Sequence, residues 1–189
     1  MSDPLGIALV GCGTVGGGVA KLLLEKADRL AARGGRPLSL RRVVVRDHAK
    51  PRAADIPKDL VGTDAAVALA DPNVHVVAEL MGGTTTAKSL VLDALAAGKH
   101  VVTANKALLA EHGPTLFDAA RKAERVICFE AAVAGGVPII RALAESLAAN
   151  QVTALQGILN GTSNFILTAM AERGMTYRAA LAAAQRLDY

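Results

Sequence analysis

Gly11, Gly13 and Gly16 stand in the segment Gly11-Cys12-Gly13-Thr14-Val15-Gly16, a G-x-G-x-x-G spacing suited to holding a pyrophosphate. In that use the first glycine permits a tight turn, the second lets the backbone approach the phosphates, and the third lets a helix pack close to the preceding strand. The helix that follows offers free N–H groups and a partial positive charge to the phosphates. Glycine turns also serve structural ends alone, and the flanks decide between the two uses. Here an apolar run at residues 5–10 precedes the glycines and a helical pattern at 15–33 follows. Strand, glycine turn and helix form the context that a dinucleotide site requires.

Four further segments carry chemistry-bearing residues. Arg46 follows the apolar run 40–45; its guanidinium suits the 2′-phosphate of NADP, whereas Asp47 beside it suits the ribose 2′-OH of NAD. Arg41, Arg42, Lys50 and Arg52 add positive charge around it, in keeping with a phosphorylated ligand or with a solvated loop. In Glu79-Leu80-Met81-Gly82-Gly83-Thr84-Thr85-Thr86 the glycines allow close backbone approach and a threonine caps the next helix, and the loop is also open to contact with a nicotinamide ribose. Lys106, after the run 100–103, could hold a substrate oxygen or help move the proton that accompanies hydride transfer; its plain alternative is an exposed lysine in a first helical turn. Glu130 opens a stretch of small residues ending at Pro138, where backbone carbonyls beside one carboxylate suit a hard cation, or where a capped helix simply follows an interdomain hinge.

These residues need a scaffold, and the periodicity supplies one. Strand-like runs at 5–10, 40–45, 74–78, 100–103 and 126–130 alternate with helical patterns at 14–33, 63–70, 84–97 and 105–124. That alternation predicts an α/β fold, a Rossmann-type doubly wound parallel sheet over residues 1–137, with ligands at the carboxyl ends of the strands. Residues 138–189 read as the start of a second α/β domain: a helix over 138–149, a strand over 151–159, a helix over 164–172 broken at Gly174, and a final helix from Thr176 to about 187. The 189 residues are 52% apolar and 20% charged, which predicts a packed core; aromatics are 3%, so that core is aliphatic. The same scarcity of aromatics argues against stacking nucleic-acid bases, and no recognition-helix motif accompanies the basic stretch. The net charge is +4. Cys12 and Cys128 suggest neither a disulfide framework nor a metal-ligand pair, no signal-peptide pattern is visible, and no apolar run reaches about 18 residues. A cytoplasmic protein with no membrane partner is expected.

Four segments together, Val10 to Gly18, Thr103-Ala104-Asn105-Lys106, Glu130 to Pro138 and Asn160-Gly161-Thr162-Ser163-Asn164, resemble homoserine dehydrogenase, and the resemblance runs through essentially all 189 residues. It implies an NAD(P)-dependent oxidoreductase that interconverts L-homoserine and L-aspartate 4-semialdehyde on the route to threonine and methionine. It implies cofactor contacts at Gly13, Thr14, Val15, Arg46, Thr84 and Lys106, and a sodium-type site made by Glu130 with the carbonyls of Val133, Gly135 and Val137. It puts Gly161 and Thr162 at the substrate edge and makes the parent a homodimer through its second domain. The chain ends Leu187-Asp188-Tyr189 where the family pattern has Leu-Gly-Tyr, which questions any backbone contact that needs glycine there. The family's homoserine-binding Glu, its Asp and its proton-transferring Lys are expected beyond Tyr189, so the polypeptide as given is expected to bind cofactor weakly without turning over homoserine. The competing readings are another Rossmann oxidoreductase of the sugar or imine type, for which a Pro after Lys106 would speak where Ala107 stands, and a non-catalytic NADP-binding module.

Overall fold

A computed structural model of the protein describes residues 3–50 and 55–187. Arg52, Asp188 and Tyr189 therefore lie outside the described residues. The chain divides into two compact units, Met1–Arg141 and Ala142–Tyr189.

The first unit is built on six parallel strands: β1 (Leu5–Val10), β2 (Leu38–Val44), β3 (Val61–Gly62), β4 (Val76–Glu79), β5 (His100–Thr103) and β6 (Ile127–Cys128). Their spatial order is β3-β2-β1-β4-β5-β6. From β1 the chain first builds outward through β2 and β3, then returns to place β4 on the other side of β1. That reversal opens a crevice beyond the carboxyl ends of β1 and β4, where open α/β sheets bind ligands. Helices α1 (Thr14–Glu25) and α2 (Ala27–Gly34) belong to one face; α3 (Ala65–Ala70), α4 (Thr85–Ala96) and α5 (Lys106–Lys122) belong to the other.

Successive strand residues feed opposite cores. Leu9, Val43 and Ala78 pack with Ala20 and Leu23 of α1, while Val10, Val44 and Val77 pack with Leu90, Val91, Leu108 and Leu116 of α4 and α5. Because both faces are covered, the strands read as continuous apolar runs, without polar alternation. The core is aliphatic, as the composition requires.

Several elements differ from the sequence expectation. The helix expected over 14–33 breaks at Lys26 (φ −122°, ψ 24°), and the break turns α2 so that Leu30 joins the core beside β2. The strand expected over 126–130 shortens to Ile127–Cys128, and Glu130 lies in a 3-10 turn with Ala131 and Ala132. The edge strand β3 carries too few residues to make a sequence pattern.

The helix expected over 138–149 is one turn, α6 (Ile139–Arg141), in the first unit, followed by a π-helical turn at Ala142–Ser146 that opens the second. Residues 151–159 form no strand: they are irregular and exposed. A strand exists only by pairing, and no other strand is present among the described residues of this unit. Helix α7 (Gly161–Arg173) starts three residues earlier than expected because the Asn160 side chain accepts the Ser163 N–H at 2.7 Å. It ends at Gly174, and Thr176 caps α8 (Tyr177–Arg186) through the Ala179 N–H. Helices α7 and α8 pack through Ile166, Ala169, Ala180 and Ala184.

Candidate active site

The glycine turn sits at the end of β1, beside the ends of β2 and β4. Gly11 donates its N–H to the Val44 carbonyl at 2.9 Å and has φ +98°, a conformation L side chains rarely adopt. A methyl group there would lie 2.5 Å from the Leu80 carbonyl oxygen and 2.7 Å from the Met81 nitrogen. At Gly16 a methyl group would run into the Gly11 carbonyl, so this glycine sets how closely α1 approaches the strand end. Gly13 is the opposite case: a methyl group would meet nothing within 4 Å. The open space lies before the first turn of α1, which contains no acidic residue to neutralise the helix N-terminus. Thr14 and Val15 are exposed in that turn. Tight turn, open approach and close packing thus fall on Gly11, Gly13 and Gly16 in the order a dinucleotide needs.

Val15 and Lys106 line one cleft of about 370 Å³, together with Glu79, Leu80, Gly82, Ala104 and Asn105. Lys106 is the first residue of α5 and is exposed; Asn105 caps that helix by accepting the Leu108 N–H at 3.1 Å. A cation is mildly unfavourable at a helix N-terminus, so helix stability does not explain a lysine there.

Beneath the cleft a hydrogen-bond network joins β4, β5 and the loop after β4. Glu79, fully buried, accepts the Met81 N–H at 3.0 Å and the Gly82 N–H at 3.3 Å through Oε1. Its Oε2 accepts the Thr103 hydroxyl at 2.6 Å. The Thr103 oxygen accepts the Asn105 N–H at 3.0 Å, and the Asn105 amide donates to the Gly83 carbonyl at 2.7 Å.

Thr84 occupies the position before α4, with no side-chain capping bond, in contrast to the cap expected from sequence; its φ and ψ (−115°, −37°) are already helical, whereas a capping residue is extended. Arg46 is exposed two residues beyond β2, whose Val44 pairs with Val10 at the glycine turn. Asp47 beside it accepts the Ala49 N–H at 2.9 Å.

Glu130 accepts the Ile140 N–H at 3.0 Å through one carboxylate oxygen and the Arg141 N–H at 2.9 Å through the other. It thus caps α6 from ten residues upstream. Between them Ala134 (φ 51°) and Gly135 (φ 60°) reverse the chain, and the Val137 carbonyl accepts the Ile139 N–H at 2.8 Å. In the second unit Gly161 and Thr162 form the start of α7, and Gly161 lines a groove with Asn164, Phe165, Thr168, Ala169 and Arg173.

Comparison with known proteins decides the family. Residues 11–130 match the model for the NAD-binding domain of homoserine dehydrogenase, and residues 138–189 match the homoserine dehydrogenase model. The chain belongs to the homoserine dehydrogenase family. It is 43% identical over 183 residues to the homoserine dehydrogenase of Bacillus subtilis, covering 97% of this chain and 42% of that protein. It is 48% identical over 185 residues to that of Corynebacterium glutamicum, covering 98% and 41%. Among solved structures it resembles a homoserine dehydrogenase from Thiobacillus denitrificans (TM-score 0.85, 44% identity, 99% of this chain and 43% of that one). It also resembles one from Staphylococcus aureus (TM-score 0.80, 36% identity, 98% and 43%). The chain spans about two fifths of the length of the relatives it matches.

Within the chain the NAD-binding match contains the glycine turn, the cleft and Arg46. Glu79 and Thr103 had no role in the sequence reading. The one available signal was a carboxylate closing the apolar run Val76-Val77-Ala78. An acidic residue at that depth needs several donors, and they come from positions the sequence does not bring together. Among the described residues no helix is long and apolar enough to cross a membrane.

Proposed function

We propose that this chain supplies the NADP(H)-binding part, and the first portion of the substrate part, of an enzyme interconverting L-homoserine and L-aspartate 4-semialdehyde. The observation that carries the reading is the cleft at the sheet's reversal point, lined both by Val15 of the glycine segment and by Lys106. The glycine turn fits a pyrophosphate: a Cβ at Gly13 would meet nothing within 4 Å, and the Thr14 and Val15 N–H groups, in the first turn of α1, have no acceptor within the helix. Arg46 meets the 2′-phosphate, which favours NADP over NAD; Asp47 is held by its own turn. Thr84, whose side chain makes no capping bond, is assigned to the nicotinamide ribose. When bound, the nicotinamide exchanges a hydride with the substrate carbon that bears the hydroxyl. Lys106 holds the oxygen on that carbon and takes part in moving its proton. Gly161 and Thr162 present the α7 N-terminus to the substrate.

Glu130 and the carbonyls of Val133, Gly135 and Val137 hold a sodium-type cation. This oxygen donor set suits such an ion, and a carboxylate oxygen that accepts one N–H retains capacity for a further contact. On the same reading the protein works in the cytoplasm, as a homodimer through its second unit, where Leu155, Ile158 and Leu159 are exposed. Fluorescence titration of the purified chain with NADPH and NADH tests the cofactor assignment. Saturable binding with preference for NADPH is expected. Failure of both nucleotides to bind overturns it.

A further inference from the structure

Glu79 is the one buried carboxylate among the described residues, and no lysine, arginine or histidine among them pairs with it. Burying such a group without a countercharge is costly unless hydrogen bonds replace water. Here three neutral donors do so, and they come from two directions. Met81 and Gly82 donate from the loop after β4; Thr103 donates from the end of β5, 24 residues away. Thr103 in turn fixes the Asn105 backbone, and Asn105 both caps α5 and reaches back to Gly83. The circuit closes on itself: loop, carboxylate, hydroxyl, helix cap, loop. Lys106 is the next residue after that cap.

We infer that the Glu79–Thr103 pair is a clamp that locks the 81–83 loop to the start of α5, giving the nicotinamide end of the cleft and Lys106 one fixed geometry. Glu79 is a positioning residue: it acts through the loop and through Asn105. The inference rests on the reading that the cleft takes NADP(H). It assigns no role to the clamp at the adenosine end, where the glycine turn and Arg46 lie.

That division yields the test. Glu79→Gln keeps an oxygen for Met81 and Gly82 but turns a donor toward Thr103, whose own hydrogen then lacks its acceptor. Thr103→Val removes the same bond from the other side, and Thr103→Ser retains it. Each chain is titrated with NADPH and with adenosine 2′,5′-bisphosphate, a probe lacking the nicotinamide half. Glu79→Gln and Thr103→Val are expected to raise the NADPH Kd by about tenfold, the order set by one buried donor or acceptor left without a partner. The bisphosphate Kd should stay within about twofold, well under the roughly tenfold step that 1.4 kcal/mol represents, and Thr103→Ser should bind both ligands like the wild type. Unchanged NADPH binding overturns the clamp, and so do parallel losses for both ligands, which mean general loss of structure. Hydrogen exchange on the unliganded chain decides the point without any nucleotide. In Thr103→Val the Met81, Asn105 and Leu108 amides should lose protection together; a change confined to Asn105 overturns the clamp. A wild-type chain that binds neither ligand overturns the NADP(H) reading, and exchange still decides the coupling of loop and helix.

Discussion

Gly11 and Gly13 are two residues apart, and the structure gives alanine opposite consequences at each. At Gly11 an added methyl group has two costs. The φ of +98° is unfavourable for any L side chain, by about 1–3 kcal/mol. The methyl group would also press on the Leu80–Met81 backbone at 2.5–2.7 Å, and overpacking of that kind costs about 1–3 kcal/mol. Gly11→Ala should therefore destabilise the chain by about 2–6 kcal/mol, a large part of the roughly 5–15 kcal/mol that holds a domain folded. Its Tm should fall by at least about 4 °C on the scaling for chains of this size. At Gly13 the φ is −82°, open to any residue, and no atom lies within 4 Å of the new methyl group. Gly13→Ala should cost about 1 kcal/mol or less, the preference for glycine over alanine at a helix N-cap, yet the methyl group stands in the space assigned to the pyrophosphate. Its NADPH Kd should rise by about tenfold or more, equivalent to roughly 1.4 kcal/mol. Thermal unfolding followed by circular dichroism, with NADPH fluorescence titration on the same samples, measures both effects. Two results would refute the reasoning: equal falls in Tm for the two variants, or wild-type NADPH affinity in Gly13→Ala.

Other expectations concern the charged residues. Arg46→Glu should weaken NADPH by at least about tenfold while leaving NADH nearly unchanged, since only the 2′-phosphate distinguishes them; equal losses in parallel titrations would remove Arg46 from that role. Lys106→Ala should leave the Tm of this chain essentially unchanged, the side chain being exposed, and in the full-length parent should lower kcat/KM for homoserine oxidation by at least about tenfold; wild-type kinetics in that parent variant would return Lys106 to an ordinary surface lysine. Glu130→Ala removes the acceptor for the Ile140 and Arg141 N–H groups. The loss of a cap costs about 0.5–2 kcal/mol, and any rise of Tm with sodium should vanish in the variant. Persistence of a sodium-dependent Tm after the substitution would place the cation elsewhere.

Much of the first unit was legible because its strands are covered on both faces and its turns are marked. Residues 5–10 and 100–103 read as strands and are strands, each bounded by a glycine or by the cap before a helix. The edge strand Val61–Gly62 was hidden because two residues make no period. Residues 151–159 show the converse: Val152, Leu155 and Ile158 give a strand-like composition, but ladder pairing is a property of two segments, and one segment cannot reveal it. The site divides in the same way. The placement of Gly11, Gly13, Gly16 and Lys106 at strand ends could be read because it follows from local chain direction. Glu79 could not, since its partners include Thr103, 24 residues on, and the stretch from Glu130 reads as a cation site or as a hinge before a capped helix, without showing that Glu130 itself is the cap, ten residues ahead.

One nucleotide is expected to span the crevice from Arg46, across the glycine turn, to Lys106. A crystal structure of this chain grown with NADPH tests it most directly. The account expects the pyrophosphate against the Thr14 and Val15 amides, the 2′-phosphate on Arg46, and the nicotinamide in the cleft lined by Gly82, Asn105 and Lys106. A nucleotide bound elsewhere, or one whose nicotinamide points away from Lys106, would contradict it.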